Sequence, residues 1–232
     1  MTRLLISVAS ATEAIVALQG GADIIDGKDA AAGPLAALPA ETLRDIVAAV
    51  DGRRPVSATI GDWPAEPALL VEQAEAIAAT GVDWVKIGFY PGGDWQACLD
   101  ALTPLARQTQ AVGLLFADHT PDPYAHVAAF ARAGFRGVML DTADKRSGGL
   151  RRHLDGIAAA RFVAAATAHG LSCGLAGSLT LGDIAALSHL NAEVLGFRGA
   201  ACHSGERGGA LEPGRVAALR EALDTALAPT AG

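Results

Sequence analysis

Short apolar runs recur eight times along the 232 residues, at a spacing of roughly 25 to 30 residues. The runs are LLISVA (4–9), DIIDGK (23–28), VSATIGD (56–62), WVKIGFY (84–90), VGLLFAD (112–118), GVMLDTA (137–143), CGLAGS (173–178) and EVLGFRGA (193–200). Most of them lack the alternation of apolar and polar residues that a half-exposed strand shows. Continuous apolar runs of this length are typical of parallel strands that are buried on both faces.

The stretches between these runs have the apolar spacing of amphipathic helices. Helices are predicted over residues 11–19, 41–50, 67–81, 94–108, 123–134, 153–170, 180–190 and 213–227. Ser10 is a good N-cap for the first helix, and Pro213 suits the first turn of the last. Eight strand–helix pairs in a chain of this length predict an α/β fold, a single (βα)8 TIM barrel.

The main rival fold is an open, doubly wound sheet, which would need a Gly-rich turn after the first strand. The corresponding segment, SVASATEA, contains no glycine. No linker and no change in composition divides the chain. We therefore predict one barrel domain over residues 1–228 and a frayed tail over residues 229–232.

Composition argues against several classes of function. The net charge is −7 and no basic patch is visible, so we expect no nucleic-acid partner. No run of about 18 apolar residues predicts a membrane span. The three cysteines form no CxxC pair, which favours a reducing, cytoplasmic location. The six histidines are scattered, and we expect neither a metal site nor a cofactor.

Lysine is scarce in this chain. Of 18 basic residues, only Lys28, Lys86 and Lys145 are lysine, and the rest are arginine, which cannot serve as an amine nucleophile. Lys28 ends the second predicted strand, Lys86 lies within the fourth, and Lys145 follows the sixth. Because active sites of such barrels lie at the carboxyl ends of the strands, we expect the three amines to meet at one mouth.

Four carboxylates, Asp26, Asp62, Asp118 and Asp141, fall at the same predicted strand ends. Clustered ammonium groups and burial both lower a lysine pKa, and a neutral lysine can attack a carbonyl carbon to form an imine. The aspartates would hold the neighbouring charges, exchange protons or contact substrate. The alternative is that these side chains form structural salt bridges at the barrel rim.

The loops after strands 7 and 8 of such barrels often bind phosphate through backbone N–H groups. Gly177 and Gly199 would permit a close approach of phosphate, Ser178 offers a hydroxyl, and Arg198 or Arg207 offers a cation. We therefore predict a phosphate site there, although the glycines also suit tight barrel turns.

Several motifs resemble the (5-formylfuran-3-yl)methyl phosphate synthase family, the furan-forming enzymes of methanofuran biosynthesis. They are GGADIIDGKDAAAGPLAA, PVSATIGD, DWVKIGFYP, VMLDTADK, GLAGSL and GFRGAAC, in the family's order, and the resemblance covers about residues 5 to 225. It implies an aldolase-type (βα)8 barrel and a lyase. Two molecules of glyceraldehyde 3-phosphate would condense to a phosphorylated furan aldehyde, with loss of phosphate and water and without a cofactor or metal.

The resemblance also implies roles for individual residues. Lys28, in the Asp26-Gly27-Lys28 motif, would form the Schiff base, and Lys86 would accept a proton. Asp141 and Lys145 would also be needed for activity.

Two other functions remain open from the sequence. One is a class I aldolase or sugar-phosphate isomerase, and the other is a non-catalytic barrel that binds a phosphometabolite. The apolar helix face in AAARFVAAA (158–166) permits the homo-oligomer that we expect.

Overall fold

A computed structural model of the chain describes residues 2–144 and 146–228. At its centre eight parallel strands, each hydrogen-bonded to the next along the chain, close into a barrel in which β8 pairs with β1. The strands are β1 (Arg3–Val8), β2 (Ile24–Gly27), β3 (Val56–Thr59), β4 (Trp84–Phe89), β5 (Gln110–Phe116), β6 (Gly137–Asp141), β7 (Ser172–Leu175) and β8 (Val194–Phe197). The predicted (βα)8 fold is confirmed.

Helices surround the barrel in the described part of the chain. They are α1 (Ala11–Gln19), α2 (Ala40–Val50), α3 (Pro67–Ala78), α4 (Trp95–Gln108), α5 (Val127–Arg132), α6 (Leu150–His153), α7 (Gly156–Ala168), α8 (Asp183–Ser188) and α9 (Pro213–Leu227). Short 3-10 helices cover Pro123–His126, Gly199–Ala201 and His203–Gly205. None of the helices in residues 2–144 and 146–228 is both long and apolar enough to cross a bilayer.

Several predicted elements are shorter or divided. The helix expected over 153–170 is instead two helices, because the Asp155 carboxylate accepts a hydrogen bond from the Ala158 amide and begins α7 there. The segment 123–134 begins with a 3-10 helix whose first residue is Pro123, and α5 follows it. Strands β3, β5, β6, β7 and β8 end two or three residues before their predicted bounds, so Asp62, Asp118 and Ser178 lie in loops and Gly199 begins a 3-10 helix. Lys145 and the tail 229–232 lie outside the described residues.

The segment after β2 covers one side of the barrel mouth. Leu35 in this segment is fully buried against an inner cluster that contains Leu114, Phe116 and Met139. It occupies the space above Gly88 of β4, where a Cβ atom would lie 2.3 Å from Leu35 Cδ1. Because this side is filled, the open cavity lies toward β1, β7 and β8.

Candidate active site

An ion pair between Asp26 and Lys86 lies inside the barrel, and both side chains are almost completely buried. Lys86 Nζ on β4 is 2.6 Å from Asp26 Oδ1 on β2. Ser57 Oγ on β3 donates to the same oxygen at 2.7 Å, and Ser7 Oγ on β1 donates to Oδ2 at 2.9 Å. Four adjacent strands therefore hold one carboxylate in a fixed orientation.

Burial and charge act in opposite directions on this pair. Burial, the largest effect, raises the pKa of Asp26, but the charges of Lys86 and Lys28 and the hydrogen bonds from Lys86 and Ser57 outweigh it, so the pKa is lowered. Burial also lowers the pKa of Lys86; the nearby Asp26 carboxylate raises it, Lys28 lowers it, and the net direction is downward. Asp26 thus stays ionised while the Lys86 amine loses its proton more easily than a lysine in water.

Lys28 follows β2 directly and is 7% exposed. Its Nζ lies 3.6 Å from Oδ2 of Asp141, the last residue of β6, and the other oxygen of Asp141 accepts the Thr142 amide at 2.7 Å. The barrel therefore brings Lys28, Lys86, Asp26 and Asp141 to one cavity of about 590 Å³. No three His, Cys, Asp or Glu side chains in the described ranges are grouped so that they could hold a metal ion.

The loops after β7 and β8 form another wall of the same cavity. Gly177 and Ser178 have positive φ angles of 106° and 49°, and a Cβ at Gly177 would lie 3.0 Å from the Thr142 amide nitrogen. The amides of Gly177, Ser178, Gly199 and Ala200 donate to no acceptor among the described residues. Unpaired N–H groups from two loops that face one cavity suit an anionic group.

Arg198 differs from the sequence-based expectation of a phosphate contact. All five of its N–H groups already have protein acceptors: the Glu13 carboxylate, which takes two, and the carbonyls of Ser7, Arg207 and Gly209. A phosphate could bind Arg198 only by displacing one of them. We infer that Arg198 instead fastens the loop after β8 to β1 and α1.

Arg207 also faces the cavity but, unlike Arg198, has guanidinium N–H groups that no acceptor among the described residues occupies. Arg207 lines the cavity and is partly buried. In the described structure its guanidinium donates one hydrogen bond, from Nη2 to the Gly33 carbonyl at 2.9 Å. It forms no ion pair with a described carboxylate. Burial lowers the pKa of its guanidinium, and the charges of Asp141 and Asp62 oppose that effect.

Asp62, which is exposed, and Asp118, which is half-buried, both accept hydrogen bonds from protein groups. Asp62 Oδ1 accepts the Leu35 amide at 3.0 Å and the Tyr90 hydroxyl, which raises the pKa of Tyr90 in addition to the larger effect of burial. The Asp118 carboxylate accepts hydrogen bonds from the amides of Ala143 and Asp144, the two residues that precede Lys145. Neither Asp62 nor Asp118 lines the cavity that holds Lys28 and Lys86. Their substrate contact stays a prediction, whereas the observed geometry makes them loop anchors.

Sequence reasoning missed Ser7 and Ser57, the two hydroxyls that orient Asp26. The available signal was a serine within each of two apolar runs, LLISVA and VSATIGD. Such a serine can equally bond to the backbone or fill a small space in the core, and only the strand register shows that Ser57 lies beside Asp26.

A closed barrel of eight parallel strands with ionisable groups at the carboxyl ends of the strands defines a class, the (βα)8 barrels. Solved structures agree on the fold. Phosphoribosyl anthranilate isomerase from Thermotoga maritima matches with a TM-score of 0.69 at 12% identity, covering 97% of this chain and all of that one. 3-Hexulose-6-phosphate synthase matches with a TM-score of 0.62 at 18% identity, covering 98% and 100%.

The family follows from closer relatives. The profile of the 4-HFC-P synthase family matches residues 4–220. The (5-formylfuran-3-yl)methyl phosphate synthase of Methanopyrus kandleri is 36% identical, over 95% of this chain and 98% of its own. A Methylorubrum extorquens protein provisionally given the same name is 45% identical, over 95% and 91%. The chain belongs to the 4-HFC-P synthase family, and the resemblance seen in its motifs is confirmed.

Proposed function

We propose that this chain is a Schiff-base-forming lyase that condenses two molecules of glyceraldehyde 3-phosphate to 4-(hydroxymethyl)-2-furancarboxaldehyde phosphate, with release of phosphate and water. The observation that carries the proposal is the burial of Lys28, Lys86, Asp26 and Asp141 around one cavity in a member of this family. In the proposed reaction no step uses a metal or cofactor, and the furan serves methanofuran biosynthesis.

Lys28 is the proposed nucleophile. Its amine attacks the carbonyl carbon of one triose phosphate, and the imine forms with loss of water. Asp141, 3.6 Å from Lys28 Nζ, exchanges the protons of that step. Imine formation makes the adjacent C–H more acidic, and this prepares the carbon skeleton for the next proton transfer.

Lys86 is the proposed base. Its lowered pKa suits an amine that removes a proton near neutral pH, and Asp26 stabilises the ammonium that results. The enamine then attacks the aldehyde of a second triose or expels phosphate, and ring closure with loss of water gives the aromatic furan. Hydrolysis of the imine releases the furan aldehyde and regenerates the Lys28 amine. Lys145 is proposed to exchange protons with the leaving oxygens.

The pH dependence of the rate tests the role of Lys86. Because the amine must be neutral, kcat/KM should fall as the pH drops through the Lys86 pKa, which lies below the ordinary lysine value of 10.5. Asp26→Asn removes the carboxylate that raises the Lys86 pKa, so this pKa should fall further. The residual activity of the variant should therefore persist to a lower pH than that of the wild type before it declines. Phosphate release measured across pH gives both profiles.

The control is Asp224→Asn, since Asp224 is paired with Arg220 on α9 and does not line the cavity. Its profile should overlay that of the wild type. An acid limb that stays in place in Asp26→Asn would show that another group controls the rate.

The phosphate of the first triose is proposed to bind the amides after β7 and β8, with Arg207 as its cation. Arg207→Gln should raise KM for glyceraldehyde 3-phosphate by roughly 10- to 100-fold, the loss expected for a hydrogen bond to a charged group. The exposed Arg161→Gln on α7 is a matched control that should leave KM unchanged. An unchanged KM in Arg207→Gln would assign the phosphate to the backbone amides alone.

The direct test is to incubate the protein with glyceraldehyde 3-phosphate and to follow free phosphate and near-ultraviolet absorbance together. The proposed synthase should release phosphate as the furan aldehyde absorbance rises. A class I aldolase or an isomerase would give no such absorbance, and a binding protein would give neither signal. Homo-oligomeric assembly stays a prediction from the sequence.

A further inference from the structure

Ser7 on β1 connects the buried ion pair of Asp26 and Lys86 to the open cavity. It is 3% exposed and lines the cavity of about 590 Å³ together with both proposed catalytic amines. Its Oγ donates to Asp26 Oδ2 at 2.9 Å. Ser57 donates to the other oxygen of the same carboxylate at 2.7 Å, but it does not line this cavity in the described structure. The two serines therefore share one acceptor and differ in their access to a bound molecule.

The hydrogen bond to Asp26 determines what Ser7 can offer to a ligand. A serine hydroxyl has one proton and two lone pairs, whereas an ionised carboxylate can only accept hydrogen bonds. The lowered pKa of Asp26 keeps its carboxylate ionised, so the single proton of Ser7 is directed to Asp26. Towards the cavity Ser7 presents a lone pair, and a ligand must supply the donor for it.

The strand order places Ser7 between the two proposed anchors of the triose. Strand β1 lies between β2, which Lys28 follows directly, and β8, which leads to Gly199. Ser7 is paired with Asp26 on β2, and Arg198 at the end of β8 donates to the Ser7 carbonyl at 3.0 Å. A triose with its carbonyl carbon at Lys28 and its phosphate at the amides after β7 and β8 therefore crosses β1, with C2 near Ser7.

We propose that Ser7 Oγ accepts a hydrogen bond from the C2 hydroxyl of the glyceraldehyde 3-phosphate held at Lys28. This inference rests on the proposed function and adds a substrate-binding residue to it. Between its carbonyl carbon and its phosphate, glyceraldehyde 3-phosphate has one hydroxyl, the one on C2. That hydroxyl is the donor that the lone pair of Ser7 requires.

The same contact orients the bond that the base must break. Lys28 holds C1, the loops after β7 and β8 hold the phosphate on C3, and Ser7 holds the hydroxyl. The direction of the C2–H bond is then fixed, because three substituents of a tetrahedral carbon determine the position of the fourth. Lys86 Nζ and Ser7 Oγ contact different oxygens of Asp26, so the proposed base lies beside the bound C2.

The test compares glyceraldehyde 3-phosphate with 3-phosphooxypropanal, which has the same aldehyde and phosphate but no C2 hydroxyl. The readout is the ratio of the rates at which borohydride traps the two aldehydes on Lys28. Comparing this ratio between variants cancels the different reactivities of the free aldehydes. Ser7→Ala should lower the ratio by about 5- to 100-fold, because the substrate hydroxyl is left unpaired in the cavity while the analogue loses nothing.

A second variant guards against a folding defect of Ser7→Ala. Ser7→Cys keeps nearly the same size but offers only a weak acceptor, so it should lower the ratio as well. A wild-type ratio in either folded variant would overturn the proposed contact.

The matched control is Ser57→Ala, which removes a hydrogen bond to the same carboxylate without changing the wall of the cavity. Its Tm should fall about as much as that of Ser7→Ala, and it should change the rates with both aldehydes by the same factor. The ratio should therefore stay at the wild-type value. An equal fall of the ratio in Ser57→Ala would show that Ser7 acts only through Asp26, and this would reject the contact.

A binding measurement separates failure of this contact from failure of the proposed function. Glyceraldehyde 3-phosphate should raise the Tm of Ser7→Ala less than that of the wild type, whereas 3-phosphooxypropanal should raise both by the same amount. If the wild type forms neither the imine nor the furan, the proposed reaction fails, and these Tm shifts still decide on Ser7. Equal shifts of both proteins with glyceraldehyde 3-phosphate would reject the hydrogen bond.

Discussion

Replacing Lys28 by arginine is expected to abolish furan formation and to abolish covalent trapping of glyceraldehyde 3-phosphate by borohydride. Arginine keeps a positive charge beside Asp141 but cannot lose its proton, so it cannot form an imine. Phosphate release and absorbance should fall to the background of the assay. Mass spectrometry of the borohydride-treated wild type should locate the adduct on Lys28.

The composition of the chain makes this experiment easy to interpret, since it has only three lysines. The Tm of Lys28→Arg should match that of the wild type, because the arginine can form an ion pair with Asp141 in place of the lysine. An adduct that maps to Lys86 or Lys145, or a Lys28→Arg variant that still forms furan, would move the nucleophile to another residue.

Lys86→Met has the second large expected effect, on both stability and activity. Removal of the ammonium leaves the fully buried Asp26 carboxylate without its counter-ion, which should cost roughly 3–5 kcal/mol of the free energy of unfolding. Loss of a general base should lower kcat by about 10²- to 10⁴-fold. Urea unfolding and steady-state kinetics measure the two effects separately.

A double-mutant cycle isolates the pair. Asp26→Asn combined with Lys86→Met removes both charges and should recover much of the lost stability without restoring activity. Arg3→Met is the matched control, since its ion pair with Glu193 is partly exposed and should be worth at most about 1 kcal/mol. Additive losses in the cycle would show that Asp26 and Lys86 are not energetically coupled.

The single substitutions also distinguish the proposed enzyme from a barrel that only holds phosphometabolites. A binding protein would keep its affinity for inorganic phosphate when Lys28 or Lys86 is replaced, and it would have no catalysis to lose. The proposed synthase should likewise retain phosphate binding at Gly177, Ser178 and Arg207 but lose all furan formation. Measuring both properties on the same variants separates these two functions.

The fold and the outline of the site were predictable from local features. Eight apolar runs with helical stretches between them led to the barrel, and the position of Lys28 at a strand end led to the mouth. The roles of individual polar groups were harder to predict from the sequence. Arg198 was expected at phosphate, but its five N–H groups donate to Glu13 and Ser7, which are distant in the chain, and to two carbonyls of its own loop.

Periodicity and residue chemistry are local properties, and they were enough to establish a (βα)8 barrel with its amines and carboxylates at one end. Which amine pairs with which carboxylate was left to the register of strands that are distant in the chain, since Lys86 is 60 residues from Asp26 and Lys28 is 113 residues from Asp141. Lys86 reaches Asp26 across β3, and the Ser57 hydroxyl donates to the same carboxylate oxygen. Such pairings depend on side-chain directions and distances inside the closed barrel, and these exist only after the eight strands have come together.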